Sequence, residues 1–224
     1  MAEKISLTAA DGHAFDAWRA LPTESAKGGI VLLHAIYGLT DHMGDVCSMF
    51  AGRGFAATAP ALYDRTAPGS VFGYDADGVG AARAFRENLT VPDILTDVAA
   101  CADDLCRYAP RIAVSGFCTG GTWAWICAGA LPFDAAVIFY GSNVRDVCDR
   151  APGCPTLLHY GDDDHVVPIE TVDEIRAAHP GLAFHIYPGA GHAFFNPEQD
   201  RHDPAAAAAA LDRSVDFLDR HLAD

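Results

Sequence analysis

The sequence predicts an α/β protein in which a mostly parallel central sheet is flanked by helices. Short apolar runs at 30–33, 111–115, 135–139 and 155–160 have the length of strands buried on both faces. Segments with helical spacing separate these runs, and such alternation is typical of parallel sheets with helical crossovers. The chain has 224 residues, half of them hydrophobic, which suits one well-buried domain and is short for two. We therefore expect a single domain over 1–224.

The first elements predicted along the chain are the two strands of a hairpin, at 5–8 and 14–19. Their connection contains Asp11-Gly12, which is a strong reversal signal. The buried strand at 30–33 is followed by a helix and another strand, at 41–52 and 55–59. Pro60 is expected to end the latter strand, because proline has no N–H for the sheet ladder.

A segment rich in Gly, Pro and Asp, at 64–77, is predicted to form a surface loop near the entrance of a site. Two helices follow it, at 81–88 and 91–108, and Pro92 suits the first turn of the second helix. The last strand is predicted at 183–187. The last helix is expected to begin near Pro204, where a run of alanines leads into an apolar stripe.

Charge and cysteine content limit the classes of partner. Thirty acidic residues against fifteen basic ones give a net charge of −15, which argues against nucleic acid and anionic membranes as partners. The chain has no long apolar run and no basic-then-apolar secretion signal at its N-terminus, so we expect a cytoplasmic protein. The seven cysteines are scattered and odd in number, which argues against a disulfide framework. Cys101 and Cys106 have no second pair beside them, so zinc is not expected.

The segment from Arg111 to Gly121 has an apolar strand, a glycine turn with Cys118 at its apex, and then a helix. This pattern is typical of the nucleophile elbow of an α/β-hydrolase, with sulfur in place of the serine oxygen. Gly116 and Gly120 allow the strand and the helix to approach closely. The helix N-terminus favours the thiolate form of Cys118. The alternative is that Cys118 is a small core residue.

Chain order strengthens the hydrolase interpretation, because that fold places an acid after the nucleophile and a histidine near the C-terminus. Asp164 follows the strand at 155–160 in an acidic turn, and His192 follows the strand at 183–187 between glycine and aromatic residues. Asp162 and Asp163 are alternatives for the acid.

Several segments together resemble the dienelactone hydrolase family, over most of the chain. They are Val31 to Gly38, Ala59 to Arg65, Gly116 to Gly121, Asp164 to Pro168 and Gly191-His192. The resemblance implies a small α/β-hydrolase that acts on lactones or esters. It assigns Cys118 as the nucleophile, His192 as the base and Asp164 as the acid that orients the base.

The resemblance also implies an oxyanion hole and a substrate pocket. The backbone N–H groups of Ile36 and Thr119 fill the places of the two oxyanion donors. Tyr37, Arg83 and Phe194 are expected to bind substrate. His34 would flank the pocket, although a packing role is equally open. Further aromatic side chains could make the pocket apolar: Phe72, Tyr74, Phe85, Trp123 and Phe195.

Two positions depart from the family's pattern. Ala35 stands where well-studied members have a glutamate that interacts with the cysteine, so activation of the thiol would fall to His192 and the helix dipole. Asn196 stands in place of an arginine that binds a substrate carboxylate. Arg83 and Arg86 are offset from the family's other arginine, and a solvated helix face is the alternative for both. Dienelactone itself is therefore a doubtful substrate, and a neutral or weakly polar ester, lactone or thioester is favoured.

These observations predict a cysteine-dependent hydrolase of small esters or lactones that works through a thioester acyl-enzyme. One alternative is a thioesterase or other acyl hydrolase with the same triad. The other is a non-catalytic relative that binds a ligand or senses oxidants through Cys118. No metal or organic cofactor is expected, and a monomer or weak homodimer suits a domain of this size.

Overall fold

Strands and helices alternate along residues 1–222, the part of the chain that the computed structural model describes. The strands are β1 (Glu3–Thr8), β2 (Ala14–Ala20), β3 (Gly28–Leu33), β4 (Phe55–Pro60), β5 (Ile112–Phe117), β6 (Ala135–Phe139), β7 (Thr156–Gly161) and β8 (Ala183–Tyr187). The helices are α1 (Asp41–Gly52), α2 (Ala76–Arg86), α3 (Val91–Leu105), α4 (Thr119–Ala130), α5 (Val144–Val147), α6 (Ile169–Ala178) and α7 (Pro204–Leu222). A short 3₁₀ helix covers Leu62–Arg65.

The strands form one eight-stranded sheet in the order β1-β2-β4-β3-β5-β6-β7-β8. The pairs of β2 with β1 and β4 are antiparallel, whereas every pair from β4 to β8 is parallel. Successive side chains of β3 point to opposite faces of the sheet, and each face packs in its own apolar layer. Ile30 and Leu32 share a layer with α1 and α7, and Val31 and Leu33 share the other with α3 and α4. The predicted α/β fold, with a mostly parallel sheet flanked by helices, is confirmed.

Parallel pairing brings the carboxyl ends of β3, β5, β6, β7 and β8 to one edge of the sheet. Ligand sites of open α/β sheets form outside this edge. The loops that leave these five strands carry the residues of the candidate site, so chain segments far apart in sequence meet there.

Several element boundaries differ from the prediction, and two of them lie near the site edge. Strand β4 includes Pro60, which pairs with Ala17 of β2 as the last residue of the strand. Helix α2 begins at Ala76 rather than at residue 81, because the Asp75 side chain caps it by accepting a hydrogen bond from the Gly78 N–H at 2.7 Å. The predicted loop at 64–77 therefore contains the end of the 3₁₀ helix and the start of α2.

A partly buried ion-pair network connects the 3₁₀ helix to α3 and to the β1–β2 turn. The Arg65 guanidinium donates to both carboxylate oxygens of Asp97 in α3, at 2.9 and 2.8 Å, and to Asp11 in the β1–β2 turn at 2.8 Å. The Asp97 side chain is 1 % exposed, and Asp93 lies 3.4 Å from the same guanidinium. Arg65 thus connects three segments of the chain.

Candidate active site

Cys118 lies between β5 and α4 in a backbone conformation that few side chains adopt, with φ 54° and ψ −117°. Close contacts around the turn require glycine. A Cβ on Gly116 would overlap the carbonyl oxygen of Gly120, and a Cβ on Gly120 would overlap that of Leu33. The strained turn places Cys118 at the N-terminus of α4, as the glycine pattern predicts.

His192 is oriented by Asp164. Its Nδ1 lies 2.8 Å from Asp164 Oδ2, and the carboxylate is fully buried. The other oxygen of Asp164 accepts hydrogen bonds from the backbone N–H groups of Val166 and Val167, at 2.8 and 2.9 Å. The structure therefore holds the carboxylate rigidly and leaves Nε2 of His192 free of protein partners.

The two neighbouring aspartates have other partners. Asp163 pairs with Arg201 at 3.2 Å, and Asp162 accepts a hydrogen bond from the Gly189 N–H at 2.6 Å. Asp164 is thus the member of the acidic turn that contacts His192.

The thiol and the imidazole stabilise each other's charged forms. Burial would raise the pKa of Cys118, but the positive charge of His192, aided by Thr119, brings it below its ordinary value of 9.0. Burial would lower the pKa of His192, but negative charge on Cys118 and the contact with Asp164 raise it to about 10. The two groups therefore titrate as a coupled pair in which each favours the charged form of the other.

Two backbone N–H groups near Cys118 have no carbonyl partner within the part of the chain that the structure describes. Ile36 and Thr119 both line the cavity beside the thiol. Neither N–H donates a hydrogen bond to a backbone carbonyl of residues 1–222. The loop after β3 and the N-terminus of α4 provide them, which is the arrangement that an oxyanion requires.

A cavity of about 500 Å³ opens above Cys118 and His192. Its walls include Tyr37, Arg83 and Arg86. Cavities of this size bind small molecules.

Two residues expected at the pocket lie elsewhere. Phe194 is fully buried in the core, where its ring packs against Tyr140 and Tyr187, so its predicted contact with substrate is wrong. The left-handed backbone of Ala193, with φ 62°, places Ala193 rather than Phe194 at the cavity wall. The ring of His34 is buried and has packing contacts: Nδ1 lies 2.6 Å from the Ala35 carbonyl oxygen, and Nε2 accepts from the Leu62 N–H at 3.3 Å.

Of the other aromatic candidates, Tyr74 lines the cavity. Its hydroxyl donates a hydrogen bond to Glu198 at 2.6 Å. Phe72 and Phe85 instead pack on Tyr63 beneath the segment that leads into α2. Neither phenylalanine lines the cavity.

Sequence analysis missed several lining residues, among them Tyr140. This residue follows β6 at the site edge, has φ 39° and packs its ring 5.1 Å from that of His192. Its position at the carboxyl end of a predicted parallel strand is a signal that could have identified it. His42 and Gln199 also line the cavity, but no local motif marks either residue.

The fold and the site match a known family. The model of the dienelactone hydrolase family aligns with residues 15–222. The chain belongs to this family. It is 30% identical to the carboxymethylenebutenolidase of Pseudomonas putida over 97% of this chain and 96% of that protein. It is 27% identical to carboxymethylenebutenolidase 1 of Cupriavidus pinatubonensis over 97% of both chains.

Solved structures show the same fold. A crystal structure from Klebsiella pneumoniae covers 97% of this chain and 98% of its own, with a TM-score of 0.83 at 24% identity. A dienelactone hydrolase-like promiscuous phosphotriesterase from metagenomic libraries covers 98% of both chains, with a TM-score of 0.76 at 20% identity. Together with the family match, the carboxymethylenebutenolidase relatives identify this member of the dienelactone hydrolase family as a carboxylic ester or lactone hydrolase.

Other kinds of site have little support in the described part of the chain. Residues 1–222 contain no group of three or more His, Cys, Asp or Glu side chains arranged to hold a metal ion. None of the helices described above has the length and apolarity needed to cross a membrane.

Proposed function

We propose that this protein is a cysteine-dependent hydrolase that cleaves small, neutral or weakly polar esters or lactones through a thioester acyl-enzyme. The observation that carries the proposal is the 2.8 Å contact between His192 Nδ1 and Asp164, which orients the imidazole beside the strained Cys118. Such an arrangement of nucleophile, base and orienting acid is the requirement for nucleophilic acyl transfer.

In the first half-reaction the Cys118 thiolate attacks the carbonyl carbon, and the N–H groups of Ile36 and Thr119 stabilise the oxyanion. The intermediate collapses to a thioester as the His192 imidazolium gives its Nε2 proton to the leaving alkoxide. In the second half-reaction neutral His192 takes a proton from water, and the resulting hydroxide attacks the thioester. Collapse releases the acid and the thiolate. Asp164 keeps Nδ1 of His192 protonated throughout.

Because Ala35 replaces the family's glutamate, His192 is the one charged side chain left to activate the Cys118 thiol in this proposal. We expect wild-type Cys118 to be alkylated by iodoacetamide near pH 7 faster than an ordinary cysteine, because the charge of His192 lowers the pKa of its thiol. The His192→Ala variant should lose most of this reactivity, because burial then raises the pKa of Cys118 without the compensating charge of the imidazole. The measurement is the rate of modification of the Cys118 peptide against pH.

The other cysteines serve as an internal control in the same digest. Cys106 is exposed, and its pKa is raised by burial and nearby aspartates, so its alkylation should be slow at pH 7 in both proteins. Unchanged reactivity of Cys118 near neutral pH in the His192→Ala variant would contradict the proposed Cys–His pair.

One observation favours a second candidate function, the hydrolysis of carboxylate-bearing esters or lactones. Arg83 and Arg86 line the cavity, and neither guanidinium forms an ion pair with a carboxylate of residues 1–222. Asn196, in the place of the family's other arginine, donates instead to the Tyr74 hydroxyl at 3.3 Å. An anionic substrate would therefore meet its unpaired guanidinium groups on the α2 side, since Arg201, which also lines the cavity, pairs with Asp163.

A double variant, Arg83→Gln with Arg86→Gln, separates the two candidates. The substrates are p-nitrophenyl butyrate and mono-p-nitrophenyl succinate, which differ mainly in one carboxylate. If the arginines bind an anionic group, the ratio of kcat/KM for the succinate to that for the butyrate should fall about tenfold or more in the variant. A ratio within about threefold of wild type supports the neutral substrate class.

Several parts of the proposal rest on the sequence alone. A thioesterase would use the same residues, and thiol sensing would use the same reactive Cys118. Cytoplasmic localisation, a monomeric or weakly dimeric state and a chemistry free of cofactors also stay predictions.

A further inference from the structure

One polar group at the cavity wall has no role in the proposed mechanism. Among buried side-chain nitrogen and oxygen atoms without a hydrogen-bond partner in residues 1–222, two belong to residues that line the cavity. They are Nε2 of His192 and Nε2 of Gln199. Buried polar groups are nearly always paired in folded proteins, so an unpaired one in a ligand cavity requires an explanation. For His192 the explanation is proton transfer, whereas for Gln199 the proposed reaction supplies none.

The backbone of Gln199 is held in place by a compact turn between His192 and α7. The Gln199 N–H donates to the Asn196 carbonyl at 3.1 Å, and the Gln199 carbonyl accepts from the His202 N–H at 3.0 Å. The Asn196 side chain closes the turn by accepting from the Glu198 N–H at 2.9 Å. The amide therefore projects from a well-ordered segment, as specific recognition requires.

The neighbours of Gln199 connect it to the reaction centre. Tyr37, Cys118 and Gln199 all line the same cavity. Burial raises the pKa of the Tyr37 phenol, negative charge on Cys118 raises it further, and the Gln199 amide and Arg83 lower it. The contact between the Gln199 amide and Tyr37 does not reach the geometry of a hydrogen bond, so the amide stays unpaired. A substrate bound at Cys118 and lying along Tyr37 would reach it.

The surrounding charges indicate what this wall can bind. His42 lines the same cavity, and burial lowers its pKa, so its imidazole is neutral at neutral pH. Glu198 acts electrostatically on His42, and Asp200 also lines the cavity, so this region carries acidic side chains. Arg83 and Arg201 line the same cavity, so acidic and basic side chains are both present. An uncharged oxygen is the simplest partner for the neutral amide donor in this mixed field.

We propose that Gln199 is a specificity-determining residue whose side-chain amide donates a hydrogen bond to an uncharged oxygen of the substrate, outside the ester group that is cleaved. The substrate class is thereby narrowed to esters or lactones that carry a hydroxyl, ether or second carbonyl oxygen. This inference rests on the proposed hydrolase function of the same cavity.

Two matched pairs of esters test the inference on either side of the scissile bond. The acyl pair is p-nitrophenyl butyrate and p-nitrophenyl 3-hydroxybutyrate. The alcohol pair is propyl acetate and 3-hydroxypropyl acetate. For each pair the measured quantity is the ratio of kcat/KM for the hydroxylated ester to that for the plain ester.

The variants are Gln199→Met, which keeps the length of the side chain without its polar atoms, and Gln199→Glu, which keeps the shape without the donor. We expect both to lower the ratio for at least one ester pair by about tenfold, because one substrate hydrogen bond is lost. Asn88→Leu is the matched control, since Asn88 is an exposed amide outside the cavity. A ratio of kcat/KM values is insensitive to a variant's general loss of active protein.

The outcomes separate this inference from the function on which it rests. If the wild type hydrolyses the plain esters but neither Gln199 variant changes the ratios, the role of Gln199 is overturned. The hydrolase proposal is then unaffected. A fall in the Met variant with full retention in the Glu variant would overturn the assignment of the amide as donor. If the wild type hydrolyses none of the four esters, the hydrolase proposal fails and this inference fails with it.

Discussion

Replacing Cys118 with alanine is expected to lower kcat/KM for p-nitrophenyl acetate and for a neutral lactone by roughly 10³- to 10⁶-fold. The variant has no atom that can form the thioester, so the oxyanion donors and the histidine are left without a nucleophile to assist. The substitution removes one sulfur atom from a position that is only partly buried, and the fold should be preserved. Initial rates with both substrates measure the effect.

The control for this variant is Cys106→Ala. Cys106 is exposed at the C-terminal end of α3 and does not line the cavity, so its removal should leave both rates close to wild type. Far-UV circular dichroism checks that both variants are folded. Substantial turnover by folded Cys118→Ala protein would refute covalent catalysis at this residue. Absence of wild-type turnover with rapid alkylation of Cys118 would favour the thiol-sensing alternative.

Replacing Arg65 with methionine is expected to lower the free energy of unfolding by about 3 kcal/mol or more. Two hydrogen bonds from Arg65 satisfy Asp97, whose side chain is 1 % exposed. Without the guanidinium, this buried carboxylate would have to remain charged without a partner or take up a proton. Methionine retains much of the apolar volume of the arginine stem, so the loss reports mainly on the charge. Urea denaturation near pH 7 provides the measurement.

Arg145→Met is the matched control, because Arg145 and its partner Glu174 are both about half exposed, at 52% and 58%. Water solvates each partner when the other is removed, so this substitution should change the free energy of unfolding far less than Arg65→Met. Equal losses in the two variants would contradict the role assigned to the Arg65 network.

The turn that carries Cys118 could be predicted because most of its signals are local. The contact that requires Gly120 is with Leu33, which is distant in the sequence. Gly116, however, is required by a contact with Gly120 itself, and the strand before Cys118 and the helix after it have clear apolar patterns. The same holds for the start of α7 at Pro204. The order of Cys118, Asp164 and His192 in the chain then indicated the type of site.

Arg65 illustrates what could not be predicted. Its partners Asp11 and Asp97 lie 54 and 32 positions away along the chain, and nothing in the local sequence of Arg65 marks them. The start of α2 was placed too late, because the decisive contact is the cap formed by a single side chain, that of Asp75.

By itself, the sequence determined the parallel α/β architecture, the glycine turn around Cys118 and the family, because these follow from periodicity, glycine spacing and short motifs. Only the tertiary structure decided which side chains face the cavity. Phe194 enters the core while Ala193 lines the wall, and Gln199 presents an unpaired amide there. The physical reason is that the direction of a loop side chain depends on the backbone turn and on partners that are distant in sequence, which local patterns do not encode.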